Sequence, residues 1–309
     1  MADANPHHDQ HTRDQHARDH QAHDNGRPDH HGHRHSGAAE DDYTDLLDLD
    51  AEVLSDYWSA ALDWVQSVAA GTPRARLLDL GAGTGTGAIG LARRLPEAEV
   101  IALDVSPVSV AKIAAKAAAA GLTARVHPVE ADLDAGWPDL GVLDLTWASA
   151  SLHHMADPAR VLRDALSATR PGGLIAVSEF ASQLLFLPDD LGFGRPGFEG
   201  RITEVLGHAY TQEMPTLGSQ WAPRLADSGW TVITEREFRI DQDPPTHPSA
   251  ARYARAWFAR LSEGLADRLE PDDQATLAAL LDERNPRSLV NRPDLHIRGG
   301  RTITVGRRD

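Results

Sequence analysis

From residue 76 onward, short apolar runs alternate with stretches of helical periodicity. Leu77–Leu80, Val100–Leu103, Ala124–Val129, Leu143–Trp147 and Leu174–Ser178 read as strands. Helices fit between them. One is punctuated by Ser106 as N-cap, Pro107 in the first turn and Gly121 past the end. Another starts at Asp157-Pro158 and stops at Pro171-Gly172-Gly173. Strand–helix alternation builds βαβ units, so the expected fold class is α/β: a doubly wound, mostly parallel sheet covered on both faces.

Ahead of this region, Leu54, Tyr57, Trp58, Ala61, Leu62, Val65 and Val68 recur at three- and four-residue steps. That spacing predicts a helix capped by Asp50 and closed by Gly71. Beyond residue 180 the rhythm changes. The Pro- and Gly-rich stretch 181–198 reads as a loop, followed by two helices, the second ending at Gly229. Trp230–Ile240 and Thr302–Val305 read as late strands. Between them, a stripe from Ala254 to Leu269 and a second helix opening at Pro271 predict a helical insertion at about 245–291, too long for an ordinary loop.

Residues 1–40 stand apart as a His-rich tail, expected to be disordered because almost nothing in it can be buried against the ordering entropy. Ten of the sixteen histidines lie there. His30, His31, His33 and His35 are candidate ligands for a divalent metal such as Zn, Cu or Ni. The domain proper is then 41–309.

Charge and composition narrow the partners. The formal net charge is −16, which argues against nucleic acid. No apolar run approaches a membrane span, and no leader with an apolar core opens the chain, so the expected location is the cytoplasm. The absence of cysteine removes disulfides, thiol nucleophiles, cysteine-held iron–sulfur clusters and cysteine-based zinc sites.

The most informative stretch is Leu77-Leu78-Asp79-Leu80-Gly81-Ala82-Gly83-Thr84-Gly85. A strand runs into glycines that let the backbone turn tightly and a ligand approach closely. The next strand ends at Asp104, where a carboxylate can accept from both hydroxyls of a ribose. Gly85 to Gly90 also matches the dinucleotide pattern G-x-G-x-x-G. It starts too late, inside the helix rather than where the strand ends. An acid at position 79 would repel a pyrophosphate and suit an ammonium. S-Adenosylmethionine carries an amino group and a sulfonium and has no phosphate.

These motifs, with Glu130-Ala131-Asp132-Leu133, Leu143–Trp147 followed by Ser151–Met155, and Pro171-Gly172-Gly173, resemble the class I S-adenosylmethionine-dependent methyltransferases. The resemblance is to the small-molecule branch, akin to quinone-biosynthesis enzymes. It implies a seven-stranded Rossmann-like sheet whose last strand is antiparallel. It also implies cofactor contacts from Asp79 (amino group), Gly81, Ala82, Gly83, Thr84 and Gly85 (methionine and ribose portions), Asp104 and Val105 (ribose end), and Ala131, Asp132 and Leu133 (adenine). The backbone of Trp147 or Ala148 would contact the amino group at the end of the fourth strand.

Methyl transfer from a sulfonium is an in-line displacement with a neutral leaving group, so it rests on positioning and, for some acceptors, a base. His153, His154 and Glu179 are the candidate catalytic residues. The Asn/Asp-Pro-Pro-aromatic run of exocyclic-amine methylation is absent after the fourth strand, where the chain reads Trp147-Ala148-Ser149-Ala150. Asp243-Pro244-Pro245 lies elsewhere and reads as a turn. The expected acceptor is therefore a small molecule, in a pocket with Phe193, Trp221 and Trp257 as possible walls. Two other functions compete: an NAD(P)-dependent oxidoreductase, and a metal-binding protein working through the tail.

Overall fold

The computed structural model describes residues 37–309 apart from 73, 74, 215 and 266. The His-rich stretch with its four candidate metal ligands lies outside the described residues.

Seven strands form one sheet in the order β3-β2-β1-β4-β5-β7-β6. They are β1 (Arg76–Leu80), β2 (Glu99–Asp104), β3 (Val126–Glu130), β4 (Leu143–Ser149), β5 (Thr169–Leu185), β6 (Thr231–Gln242) and β7 (Ile297–Arg307). The pairs among β1 to β5 are parallel, and β7 runs antiparallel to both β5 and β6. This is the mixed seven-stranded sheet that the motif order implies.

The helices are α1 (Gly37–Val53), α2 (Ser55–Val68), α3 (Thr86–Arg94), α4 (Pro107–Ala119), α5 (Pro158–Ala168), α6 (Phe198–Glu213), α7 (Trp221–Asp227), α8 (Ala250–Leu265) and α9 (Pro271–Leu281). Alternation along each strand splits the core in two. Leu77, Leu145 and Ala176 face one layer with Leu62, Ala88, Ile113 and Phe258. Leu78, Leu80, Ile175 and Val177 face the other with Val161, Leu162 and Leu225. A strand buried on both sides reads as a continuous apolar run, which is why β1, β2 and β4 stand out in the sequence.

The punctuation of α4 and α5 holds: Ser106 Oγ accepts from Ser109 N and Asp157 Oδ1 from Arg160 N. Several expectations need correction. Helix begins at Gly37, inside the stretch assigned to the tail, because Leu46, Leu49 and Val53 at helical spacing are buried in the first core. Asp50 is no N-cap: it lies within α1, and α2 starts after Leu54. The loop expected from 181 begins later, since β5 continues to Leu185 against β7 with two irregularities in register. β7 begins at Ile297, well before the expected Thr302, because Arg298, Gly299, Gly300 and Arg301 break the apolar pattern while pairing to β6 continues, and β6 runs on to Gln242 through the same pairing. Finally, β4 extends two residues past Trp147, paired to β5 through Ser149↔Ser178.

Candidate active site

The turn after β1 lies at the carboxyl ends of the parallel strands. Gly81 has φ +64°, and a Cβ there would stand 2.5 Å from Ser151 Cβ, so glycine is required twice over. Ser151 Oγ donates to the Leu80 carbonyl at 2.8 Å, which fixes the end of β1 to the segment after β4. Gly85 is the N-cap of α3, so Gly87 and Gly90 fall within the helix and no pyrophosphate cradle forms at the later glycines.

Asp79 is the most perturbed group of this region. It is 2% exposed on β1, faces α3, and has Trp147 of β4 as its register partner. Burial pushes its carboxyl up to about 7, against a hydrogen bond from the Ala88 N–H, with Asp104 adding a small upward push. Its Oδ2 is buried without a partner, and so is the neighbouring Trp147 Nε1. A Cβ on Gly87 would sit 2.7 Å from each of these atoms, so only glycine leaves the two polar groups room. Asp104 closes β2. Its Oδ2 accepts from Gly83 N at 2.7 Å and its Oδ1 from Ser106 N at 3.0 Å. Burial pushes this carboxyl up too, and the backbone donors Ser106, Gly83 and Val105 oppose that.

Beside Asp104, Val105 is 62% exposed, an apolar surface at the mouth of the turn. Ala131 N donates to the Asp104 carbonyl at 3.0 Å, which brings the segment after β3 to the same edge. There Asp132 is exposed and Leu133 buried. Asp79, Gly81 to Gly85, Asp104, Val105 and Ala131 to Leu133 thus lie together at the carboxyl ends of β1, β2 and β3. Trp147 and Ala148 do not end β4; Ser149 does, and the next residue, Ala150, carries a left-handed φ of +49°. Both Trp147 and Ala148 are buried inside the ladder between β1 and β5.

The three candidate catalytic residues also converge. The Ser149↔Ser178 register places the turn after β4 (Leu152–His154) level with the end of the buried part of β5. His153 Nδ1 lies 2.7 Å from Glu179 Oε2, and both side chains are under 5% exposed. Glu179 Oε1 is buried without a partner. The His153 ring lies 4.1 Å from the His154 ring and 5.8 Å from Phe180. Of the three aromatics weighed as walls or core, Trp221 is core, 4% exposed among the helices α5 and α7, while the partly buried Trp257 packs on Phe186 and the partly buried Phe193 lies under the Arg287 guanidinium.

The family model for a methyltransferase domain matches residues 77–173, from β1 into the start of β5. The chain is 35% identical over 192 residues to 27-O-demethylrifamycin SV methyltransferase of Amycolatopsis mediterranei (strain S699), covering 58% of this chain and 68% of that one. The chain belongs to the S-adenosylmethionine-dependent methyltransferases. Demethylmenaquinone methyltransferase of Thermus thermophilus is 38% identical over 105 residues, or 34% of this chain and 47% of that relative. A solved structure from Bacillus halodurans C-125 aligns with TM-score 0.51 at 15% identity over 81% of this chain and 99% of that one, which speaks for the fold alone.

The methyltransferase's own residues fit this cofactor. The turn offers a buried acceptor oxygen on Asp79, suited to an ammonium and repelling a pyrophosphate. Sequence reasoning missed a second buried polar cluster. Arg301 of β7 donates to Asp50 Oδ2 at 2.7 Å, Tyr253 OH donates to the same oxygen at 2.7 Å, and Trp58 Nε1 to Asp50 Oδ1 at 3.1 Å. Arg301 also lies over the rings of Tyr57 and Phe180. Asp50 is one acid among seven in α1 and Arg301 one of three arginines in β7, so neither stands out in the sequence. A cavity of about 490 Å³ between β5, β6 and β7 holds Asp241, Asp243 and His296 close together. It lies apart from the turn, and the imidazole there faces Asp241 on one side and Arg298 on the other.

Proposed function

We propose that this methyltransferase transfers a methyl group to a hydroxyl of a small organic acceptor, with His153 as the base and Glu179 holding it. The His153–Glu179 contact carries the reading. A carboxylate accepting from Nδ1–H fixes the tautomer in which Nε2 keeps its lone pair, and it stabilises the imidazolium that forms. Such a dyad serves an acceptor whose proton must leave. The cofactor supplies the methyl group on a sulfonium, a donor that departs as a neutral thioether.

Each residue has a defined task. Asp79 accepts from the amino group of the methionine portion, and the turn from Gly81 through Gly85 admits that portion and the ribose. Asp104 accepts from the ribose hydroxyls, Val105 offers its exposed side chain to the adenine, and Ala131 to Leu133 close the adenine end. His153 removes the hydroxyl proton as the new O–C bond forms, and Glu179 balances the charge left on the ring. An acceptor oxygen made more anionic in this way attacks faster along the displacement axis.

Three observations support a small acceptor. The curated relatives named above act on small molecules by their names. The acidic chain repels nucleic acid. The dyad is buried, so only a slender group reaches it.

Product analysis tests the proposal. The protein, given isotopically methyl-labelled cofactor and a panel of hydroxylated aromatics and polyketides, should yield an O-methylated product by mass spectrometry. The His153→Gln variant should bind S-adenosylhomocysteine normally and form that product at least about a hundredfold more slowly. Label carried on nitrogen or carbon, or a variant as fast as the parent, would overturn it.

A further inference from the structure

Helix α1 reaches the cofactor crevice at several points along one face. Ser106 Oγ donates to Glu40 Oε1, and Ser106 N donates to Asp104 Oδ1, so a single serine separates the two carboxylates. Two turns further along α1, Leu47 lies over Gly83: a Cβ on that glycine would stand 2.9 Å from Leu47 Cδ1. Asp48 pairs with Lys116, whose Nζ donates at 2.8 Å to the hydroxyl of Thr84, a turn residue 2% exposed. Asp45 pairs with Lys112 at 2.7 Å. The partners are the glycine turn, already assigned to the cofactor, and α4, the helix that follows Asp104.

The far end of α1 is held quite differently. Asp50 is bonded to Arg301, Tyr253 and Trp58, and Glu52 Oε1 accepts from Ser249 Oγ at 2.7 Å. That end is anchored in protein, while the ion pairs toward α4 involve aspartates that are 71% and 37% exposed. Exposed pairs are weak and screened by salt.

We propose that α1 is the outer wall of the cofactor site: Glu40 is a second carboxylate for the ribose diol, Leu47 covers the turn, and the cofactor leaves when the Asp45–Lys112 and Asp48–Lys116 pairs part. This rests on the assignment of the turn as the cofactor site. The chemistry is complementary. Each Asp104 oxygen already accepts one backbone N–H, so a diol with two protons to donate gains from a second carboxylate close by. The donor form of the cofactor carries a net positive charge and the demethylated form none. Glu40 therefore favours the donor over the product.

The test is binding kinetics on the full chain, with S-adenosylhomocysteine and S-adenosylmethionine as probes. Glu40→Gln should weaken both by about three- to tenfold, the methionine form more, as a charged acceptor is lost. The pair Asp45→Asn with Asp48→Asn should raise the dissociation rate of S-adenosylhomocysteine about fivefold, and high salt should mimic it in the parent. Circular dichroism melts report that the variants are folded. Amide exchange in 40–48 should slow when the ligand binds. Unchanged affinity and rates in these variants, with Asp104→Ala losing affinity, would overturn the wall while leaving the turn in place. Full affinity in Asp104→Ala as well would remove the turn assignment and this proposal together.

Discussion

The two halves of this sheet place chemistry at the same edge by different means. Of β1 to β4, the three inner strands β1, β2 and β4 are buried on both faces, and the candidate cofactor residues lie in a strand or within a few positions after one. From β5 through β7 to β6, the strands are long and interrupted in register, and the edge strand β6 leaves many of its residues exposed. In the assignment proposed above, the first half is a fixed scaffold for a cofactor of constant shape. The second is a frame whose connections can differ without disturbing it. The family model reflects this, since it ends at residue 173, just as β5 begins. The dyad spans the divide: His153 belongs to the first half and Glu179 to the second.

Breaking the dyad is the sharpest test of that division. His153→Ala should lower turnover about 10²- to 10⁴-fold, and Glu179→Gln by a similar order, measured as initial rates at saturating cofactor. Because the two act as a unit, the double variant should be no slower than the worse single one. Multiplying losses would mean that the residues work separately. Next in size, Asp104→Ala should weaken S-adenosylhomocysteine at least about tenfold by calorimetry while the protein still folds, since the ribose loses a charged acceptor. An equal effect on acceptor KM would blur the line between the halves.

A third prediction concerns pH. Asp79 sits near 7 rather than 3.8 because it is buried, so below that pH much of it is neutral and cannot receive an ammonium's charge. Cofactor affinity should rise with pH up to about 7, by at most about tenfold per unit, and Asp79→Asn should flatten the profile. Stability without ligand should move the other way. A carboxyl raised in the folded state binds a proton that the unfolded chain has released, so its contribution is full below about 4 and is lost as pH rises to about 7. Glu199, raised by burial to about 7 from 4.5, adds to the same trend. Chemical denaturation from pH 4.5 to 7.5 with and without S-adenosylhomocysteine measures both slopes. Parallel slopes would refute the coupling.

What the sequence shows of this molecule follows the same divide. Asp79, the glycines and Asp104 are legible because each lies within one strand–turn unit, where local spacing sets the geometry. The His153–Glu179 pair is 26 residues apart, and only the β4–β5 register brings it together. His153 and Glu179 are visible singly as polar residues beside apolar strands, but the 2.7 Å contact is not. Helix α1 is hidden by its acidic start, Glu40-Asp41-Asp42, which reads like the polar stretch before it. Leu46, Leu49 and Val53, at steps of three and four, are the signal that identifies it. The end of β4 is hard to place because an apolar pattern stops at Trp147 while hydrogen bonding continues through Ala148 and Ser149.

Asp144 lies at the opposite end of the sheet from all of this. Its Oδ2 accepts from Ala75 N and Arg76 N at the head of β1, and its Oδ1 from Arg170 Nε at the head of β5. One carboxylate thereby rivets three neighbouring strands at their amino ends. Asp144→Asn should cost about 2 kcal/mol of stability in urea melts and leave turnover per folded molecule untouched. The sheet thus keeps its mechanical keystone and its chemistry at opposite poles, and a lineage could retune one without paying at the other.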